Sequence, residues 1–388
     1  MSAPRSSYDV LVVGATAGGL AAAALLARRG FRVSVIGHGV RDETYPWEGL
    51  KLRRGLAAFA VLDAPAFRKV VAELALVPAV RRAVETLSPP FQVCLPKHRV
   101  DAWAEPERLV AELEREFPEV PRPIEDFYGF LQRWQPALDA WLADERELPP
   151  EGFFARRAEA RRLAALPFGR DGRGGDLLSA FSDRHPFRTF VAAQTRFASA
   201  LDPDAMTDLR LTRLHAAGLR AAFLDGGVDA LRALFAERVV LHGGELRLKD
   251  RVEHLELRRG RVTGALIAGV DEAVGANFVL VAADPTEAVR LSGELPVSRW
   301  ARRATVSPRY HRFVVNLALR AAGVPEGMGR RVFSVLDPAR PSRRRTSSRS
   351  SARCPTRKGG WCSPSRRSSR ARPSRRATPT FAACARGS

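Results

Sequence analysis

The most regular apolar pattern of the chain lies near its beginning. Residues 10–13 (Val-Leu-Val-Val) are uniformly apolar, which is typical of a strand buried on both faces. Residues 14–19 (Gly-Ala-Thr-Ala-Gly-Gly) predict a tight turn, and the alanine- and leucine-rich residues 20–29 predict a helix. Residues 31–36 then alternate between apolar and polar side chains, as a second strand does. The pattern therefore predicts one strand–turn–helix–strand unit over residues 8–37, the start of a nucleotide-binding Rossmann fold.

Between residues 38 and 215 the pattern changes to amphipathic helices joined by loops. From it we predict a polar loop over 41–55, a helix over 66–87 interrupted at Pro78, a hairpin of 91–96 with 99–103, and helices over 109–117, 127–142 (broken at Pro136), 153–166 and 176–201. The helix over 153–166 carries four arginines, which fit a solvated face better than a nucleic-acid-binding helix. Phe187, Phe190 and Phe197 are predicted to be core residues.

A second nucleotide-fold pattern covers residues 216–292. It consists of a glycine turn, a helix over 228–238, and strands over 245–248, 252–257, 262–267 and 278–283, followed later by a last candidate strand over 311–319. The run over 278–283 is apolar enough to predict a buried strand. Because a parallel sheet needs both faces covered, we expect this block to pack beside residues 8–37, with the intervening helices forming a separate cap.

Length and cysteine content limit the domain organisation and the kinds of site that the chain can have. The 388 residues suffice for two domains or one large composite core. The four cysteines include no Cys-x-x-Cys pair, so neither a thiol metal site nor thiol redox chemistry is indicated, and we expect a reducing cytoplasm. Residues 10–27 carry no charge, but their three glycines favour the turn and helix above over a membrane span.

The net charge of +21 is concentrated at one end. Residues 341–388 hold fourteen of the 63 Lys and Arg residues and none of the 42 acidic ones, which leaves +7 for the rest. After Leu336 there is no Leu, Ile, Val, Met or Tyr, so residues 337–388 are expected to be disordered. A basic nucleic-acid-binding arm and a gene product read out of frame are the two alternatives. Codons compatible with residues 375–381 also encode Glu-Glu-Gly-Asp-Ala-Tyr-Leu in another frame, which favours the second, so no specific nucleic acid is expected as a partner.

The glycine turn matches the dinucleotide motif G-x-G-x-x-G incompletely. Gly14 and Gly19 occupy its outer positions, but Thr16 stands at the middle glycine, where the backbone approaches a pyrophosphate. The second strand is followed by Gly37 and His38 rather than by the acidic residue that binds a ribose. A Rossmann unit that has lost its dinucleotide is therefore an open alternative.

The two nucleotide-fold blocks, residues 8–37 and 216–292, together with the hairpin at 91–103, resemble the phytoene desaturase-like flavoprotein family. That family is related to the amine and protoporphyrinogen oxidases. The similarity covers about residues 8–336 and is strongest in 8–37 and in the sequence from GGVDALRALFAERVVLHGGELRLKD to VLVAADP. It implies an α/β fold in which a Rossmann-type FAD/NAD(P)-binding domain carries an inserted α+β substrate cap. The implied boundaries are 1–87 with 216–292 for the nucleotide domain, 88–215 with 293–336 for the cap, and 337–388 for the tail.

The resemblance also implies an FAD site. Its cofactor-binding candidates are the diphosphate turn, the residue whose backbone meets the adenine, and the strand end beside the cofactor: Gly14, Ala15, Thr16, Gly18, Gly19, Val252, Ala283 and Asp284. Three departures from the family's motifs weaken this implied FAD site. They are Gly37 in place of the ribose-binding acid, the missing Gly-Gly-Arg motif, and the missing C-terminal Gly-Asp motif. We therefore expect FAD to be bound weakly or lost. No catalytic acid or base and no metal ligand is identified.

The reaction that the resemblance implies is hydride transfer from a C–H bond of a small apolar substrate, such as a polyene, to flavin. Peripheral contact with a membrane surface is a further expectation. Two other hypotheses stay open, a non-catalytic relative that uses the nucleotide fold as a scaffold and a basic-tailed nucleic-acid binder.

Overall fold

The computed structural model describes residues 7–55, 58–59, 62, 64–144, 150–166, 168, 172, 174–199, 201–259, 261–269, 272–293, 314–317, 319–337 and 382–383. The predicted disorder of 337–388 concerns residues that, apart from 337 and 382–383, lie outside this described part. Of the candidate strand over 311–319, residues 311–313 and 318 also lie outside it.

The described elements run in chain order as follows: β1 (Ser7–Val13), α1 (Ala17–Arg28), β2 (Val33–Ile36), β3 (Thr44–Trp47), β4 (Leu50–Arg53), β5 (Ala58–Phe59), α2 (Pro65–Glu73), α3 (Val77–Ala83), β6 (Val84–Thr86), β7 (Phe91–Cys94), β8 (Arg99–Ala102), α4 (Pro106–Glu116), α5 (Pro121–Ala143), α6 (Gly152–Ala164), α7 (Pro186–Ser199), α8 (Asp208–Leu219), β9 (Ala222–Leu224), α9 (Gly227–Leu241), β10 (Glu245–Arg247), β11 (Val252–Arg258), β12 (Arg261–Ile267), β13 (Glu272–Val281), α10 (Pro285–Ser292), β14 (Asn316–Leu317), β15 (Val332–Ser334) and β16 (Ala382–Ala383). Short 3₁₀ turns span Asp176–Leu178, Pro203–Ala205 and Ala321–Gly323.

One six-stranded sheet joins the beginning of the chain to its second nucleotide-fold block. Its strand order is β10-β2-β1-β13-β12-β11. The first four strands are parallel, with Val10 beside Phe278 and Val33, whereas β12 and β11 continue the sheet antiparallel. The predicted α/β fold with a Rossmann-type nucleotide domain is confirmed.

Two apolar clusters hold this sheet from its opposite faces. Val10, Val12, Val33 and Val35 pack under α1 and α9, which contact each other through buried positions such as Leu20 and Phe235. Leu11, Val13 and Ile36 face the other way, toward β11, β12 and α10. Because alternate residues of β1 enter different clusters, the all-apolar run is explained by burial on both faces.

A third cluster lies in the helices between the two blocks. It forms around β7 and β8, which pair as the predicted hairpin, and β15 adds a parallel third strand. Phe187 and Phe190 of α7 are fully buried in it, and Phe197 packs against its edge. These aromatic residues are core residues, as predicted.

The predicted polar loop over 41–55 is wrong, because β3 and β4 form a hairpin there. Trp47 pairs with Leu50 across a two-residue turn of Glu48 and Gly49. Both turn residues have positive φ, 47° and 76°, the conformation that suits a tight hairpin. The Glu-Gly pair between alternating apolar residues was the available signal, and Pro46 obscured it.

The predicted interruption of the helix at Pro78 is confirmed, because α2 ends at Glu73 and α3 begins at Val77 with Pro78 in its first turn. The predicted helical end is wrong, since β6 lies there instead. The predicted break at Pro136 is also wrong. The helix α5 continues through Pro136 for 23 residues. Its buried face, which includes Phe127 and Leu131, packs in the third cluster, and this burial outweighs the roughly 3 kcal/mol that an interior proline costs.

The predicted burial of residues 278–283 is wrong for part of that strand. Phe278 is 70% exposed and Leu280 is 39% exposed. Their neighbours on β1 are covered by α1 and α9, but these helices pack over β1, β2 and β10 and do not extend over this part of β13. Within the described residues, no helix is both long and apolar enough to cross a membrane.

Candidate functional site

The glycine turn between β1 and α1 lies against the end of β13. Gly14 has φ +107°, and a Cβ atom there would lie 2.6 Å from the carbonyl oxygen of Ala282. A Cβ atom on Gly19 would lie 2.4 Å from the Gly14 carbonyl oxygen and 2.7 Å from the Ala282 Cβ atom. These two positions therefore require glycine, and they bring the turn next to Ala283 and Asp284.

Thr16 serves as the N-cap of α1. Its Oγ1 accepts the Gly19 amide N–H at 3.1 Å, which satisfies one of the first-turn donors that have no partner within the helix. Gly18 is exposed, with open space where a Cβ atom would stand. Ala17 and Gly18 are the first two residues of α1, so their amides are first-turn donors without an acceptor inside the helix, and they lie at the positive end of the helix dipole, where an anion is stabilised.

Gly37 has no room for the missing acid. A Cβ atom at this position would lie 1.9 Å from the carbonyl oxygen of Leu248, which belongs to the segment after β10. The Gly37 amide donates to the Arg247 carbonyl at 3.0 Å, and the Gly37 carbonyl accepts from the Ala15 amide at 3.4 Å. The close packing of the β10 segment therefore excludes an acidic side chain at the end of β2.

His38 connects the end of β2 to β11 and α10. Its Nδ1 accepts the Val252 amide N–H at 3.1 Å, so its Nε2 carries the proton that it shares with Glu287 Oε1 at 2.9 Å. The imidazole is only 6% exposed, and the residue has φ +53°. The backbone N–H of the predicted adenine-contact residue is thus already bonded within the protein.

Glu287 is a strongly held carboxylate. Arg290 donates two hydrogen bonds to it, at 2.6 and 2.8 Å. The bonds from Arg290, with a smaller contribution from His38, lower the pKa of Glu287 to about 2, against an opposing effect of burial. Glu287 is therefore ionised at neutral pH, and its bond to His38 is charge-assisted.

Arg232 of α9 holds the other side of the glycine turn. Its Nε donates to the Ala15 carbonyl at 2.8 Å, while its Nη1 pairs with Asp42 at 2.9 Å and with Asp229 at 3.5 Å. Asp229 in turn accepts from the amides of Glu43 and Thr44. Burial opposes it, but these bonds hold the pKa of Asp229 below its ordinary value.

The structure thus brings together the candidates Gly14, Ala15, Thr16, Gly18, Gly19, Ala283 and Asp284, and it links Val252 to them through His38. Asp284 is the N-cap of α10, where its carboxylate accepts the Thr286 amide at 2.8 Å. Sequence reasoning missed Arg232 and Glu287, since nothing in their local sequence distinguishes them from other helical charges. His38 was visible beside Gly37, but its role was not.

For a dinucleotide, the two ends of the site differ in fit. The glycine turn and the first-turn amides of α1 fit a diphosphate. At the end of β2, where the ribose of the adenosine half is bound in this fold, Gly37 supplies no acid, and the buried imidazole of His38 is bonded to Val252 and Glu287.

The chain is similar in sequence to known proteins. Residues 12–74 match the model of the family described as NAD(P)-binding Rossmann-like domain. A curated relative, the chloroplastic prolycopene isomerase of Daucus carota, is 24% identical over 284 residues, which are 70% of this chain and 45% of that protein. The chain therefore spans about half the length of the curated relative that it matches.

Solved structures resemble the chain at the level of fold. A Pyrococcus furiosus protein is 15% identical, and the match covers 77% of this chain and 65% of that protein, with a TM-score of 0.50. A variant of putrescine oxidase is 18% identical, and the match covers 78% of this chain and 63% of that protein, with a TM-score of 0.48. The family match of residues 12–74 and the six-stranded sheet together show an NAD(P)-binding Rossmann-like domain within a mixed α/β fold.

Proposed function

We propose that the protein is an FAD-dependent oxidoreductase of the desaturase type. The observation that carries this proposal is the glycine turn of β1 and α1, which packs without space against the end of β13 and is followed by Ala17 and Gly18 in the first turn of the helix. The match of residues 12–74 to a dinucleotide-binding family supports it. When bound, flavin supplies the hydride acceptor for a substrate C–H bond.

The chain's own residues have distinct tasks in this proposal. The first-turn amides and the dipole of α1 bind the diphosphate. Arg232 fixes the carbonyl of Ala15 and so holds the turn in one conformation. No side chain is assigned a proton-transfer role.

A substitution at Gly18 tests the diphosphate site without disturbing the fold. Gly18→Asp places a negative charge at the N-terminus of α1, which favours the helix by about 0.3–1 kcal/mol but repels a diphosphate. We expect the melting temperature to be unchanged or raised and FAD affinity to fall at least tenfold. Gly18→Ala, which adds the same Cβ atom without charge, is the matched control. Equal FAD affinity of the two variants would show that the diphosphate lies elsewhere.

The substrate proposed is a long apolar molecule of polyene type. The relative from Daucus carota is named a prolycopene isomerase, and the region between the nucleotide-fold blocks has an aromatic interior. We propose that residues 88–215 with 293–336 form the substrate cap. Anaerobic mixing of flavin-loaded protein with a polyene should bleach the flavin absorbance, whereas an aliphatic diamine should not. Bleaching by the diamine alone would assign amine oxidation instead.

A non-catalytic scaffold is the second candidate, because Thr16 and His38 already bond the amides of Gly19 and Val252. Under this alternative the purified protein carries no flavin and acquires none at excess FAD. The absorbance spectrum before and after dialysis separates the two.

A membrane surface is the partner that we propose for α6. No residue of this helix is buried, and Phe153 and Phe154 are 67% and 84% exposed. Its four arginines outnumber its single glutamate, as suits an anionic lipid surface that aromatic side chains enter. This exposure fits the solvated face predicted for the helix.

Vesicle sedimentation tests the proposed membrane contact. The double substitution Phe153→Ser/Phe154→Ser should abolish binding to vesicles containing phosphatidylserine. Phe31→Ser, an exposed phenylalanine of the nucleotide domain, should retain it. Equal binding by both variants would refute the assignment of α6.

A further inference from the structure

The end of β2 combines a steric exclusion with a hydrogen bond between the buried imidazole of His38 and the half-buried carboxylate of Glu287. The segment after β10 leaves no space for a side chain on Gly37, so the acid that binds ribose in this fold cannot be supplied from that position. An ionised carboxylate nevertheless lies nearby, since Glu287 of α10 is bonded to His38, the next residue.

Glu287 belongs to the same edge of the sheet as the glycine turn. The helix α10 starts at Pro285, directly after the strand end that Gly14 and Gly19 contact. His38 follows Gly37, whose carbonyl accepts the Ala15 amide of the turn. The carboxylate is therefore presented to the adenosine side of the turn from a different element.

We propose that Glu287 is the ribose-binding carboxylate of this site and that His38 covers it until an adenine dinucleotide displaces the imidazole. The proposal rests on the proposed FAD function and names the chain's own groups at the adenosine end. Arg290 of the same helix donates hydrogen bonds to both oxygens of Glu287, so the carboxylate stays positioned when His38 leaves.

Displacement of His38 breaks two hydrogen bonds: the one that its Nδ1 accepts from the Val252 amide and the one that its Nε2 donates to Glu287. The first bond is neutral and the second is charge-assisted. A nucleotide that must break both therefore binds with an affinity lowered by roughly ten- to hundredfold. FAD has to meet this requirement, whereas FMN does not, because FMN lacks the adenosine half.

The substitution His38→Gly removes the cover and suits the positive φ of residue 38. We expect FAD affinity, measured by isothermal titration, to rise ten- to hundredfold and FMN affinity to stay unchanged. Adding Glu287→Ala to His38→Gly should remove the gain in FAD affinity. His254→Ala, an exposed histidine of β11, is the matched control and should change neither affinity.

Each outcome decides the proposal, and melting temperatures establish that the variants are folded. Should His38→Gly lower FAD affinity or leave it equal to that of the wild type, the covering role is refuted and flavin function stands. A gain that persists after Glu287→Ala refutes the carboxylate assignment. If His38→Gly does not fold, Glu287→Gln in the full chain, which weakens the hold on His38, must leave FMN affinity unchanged while altering FAD affinity. No flavin binding by any variant overturns this proposal together with the proposed function.

Discussion

A buried histidine in the third apolar cluster should make the region between the nucleotide-fold blocks sensitive to acid. His215 of α8 is fully buried, and its Nε2 shares a hydrogen bond of 2.9 Å with the Tyr128 hydroxyl of α5. The rings of Phe127 and Phe190 lie 5.9 Å from its ring. Its Nδ1 has no hydrogen-bond partner among the described residues. A charged imidazole would therefore have no compensating group.

Burial lowers the pKa of His215 from 6.5 to about 4. Between these pH values the unfolded chain binds a proton that the folded chain does not, so stability is complete above pH 6.5 and falls as the pH decreases toward 4. The shift corresponds to about 3 kcal/mol of unfolding free energy.

The double variant Tyr128→Phe/His215→Leu provides the comparison. Replacing both hydrogen-bonding partners by apolar residues is close to neutral, so the variant should resemble the wild type at pH 7. Urea unfolding from pH 7 to 4, followed by fluorescence of tryptophans such as Trp134, should show the wild type losing about 3 kcal/mol more than the variant.

Other titrating groups cancel in this difference because both proteins contain them. Parallel stability profiles across pH 7 to 4 would refute the reasoning, since they would mean that His215 titrates normally. The single variant His215→Leu should be less stable than the double variant at pH 7, because it leaves the Tyr128 hydroxyl buried without a partner.

Two further predictions concern packing. Phe187→Ala removes a fully buried ring and should lower the unfolding free energy by about 3–5 kcal/mol in urea titrations, whereas Phe154→Ala, at an exposed position, should change it by less than about 0.5 kcal/mol. Gly37→Ala should lower the unfolding free energy by about 1–3 kcal/mol or more, seen as a lower melting temperature, because its Cβ atom would meet the Leu248 carbonyl. Gly129→Ala, which has open space in a helix, should be neutral or stabilising. Similar behaviour of the two glycine variants would contradict the packing at residue 37.

The local sequence determined the elements whose signals lie within a few residues of each other. The apolar run of β1, the glycines of the turn and the helix-forming residues of α1 were sufficient to predict the first unit. The hairpin of β7 and β8 and the meander of β11 and β12 were predicted for the same reason, because adjacent strands joined by short turns depend on nearby residues.

Tertiary packing decided the elements whose local signals are weak or contradictory. The strand β6 exists because β9, far along the chain, pairs with it. The helix α5 passes Pro136 because its apolar face is buried. The exposure of Phe278 depends on how far α1 and α9 extend across the sheet, which no local pattern contains.

The candidate site divides in the same way. Gly14, Thr16, Gly18 and Gly19 are consecutive enough to form a motif, and the sequence alone located them. The bond between His38 and Glu287 joins residues that are 249 positions apart. The space denied to Gly37 depends on Leu248 after β10. Contacts of this kind arise only when the sheet brings distant strand ends to one edge, so the adenosine end of the site was decided by the tertiary structure.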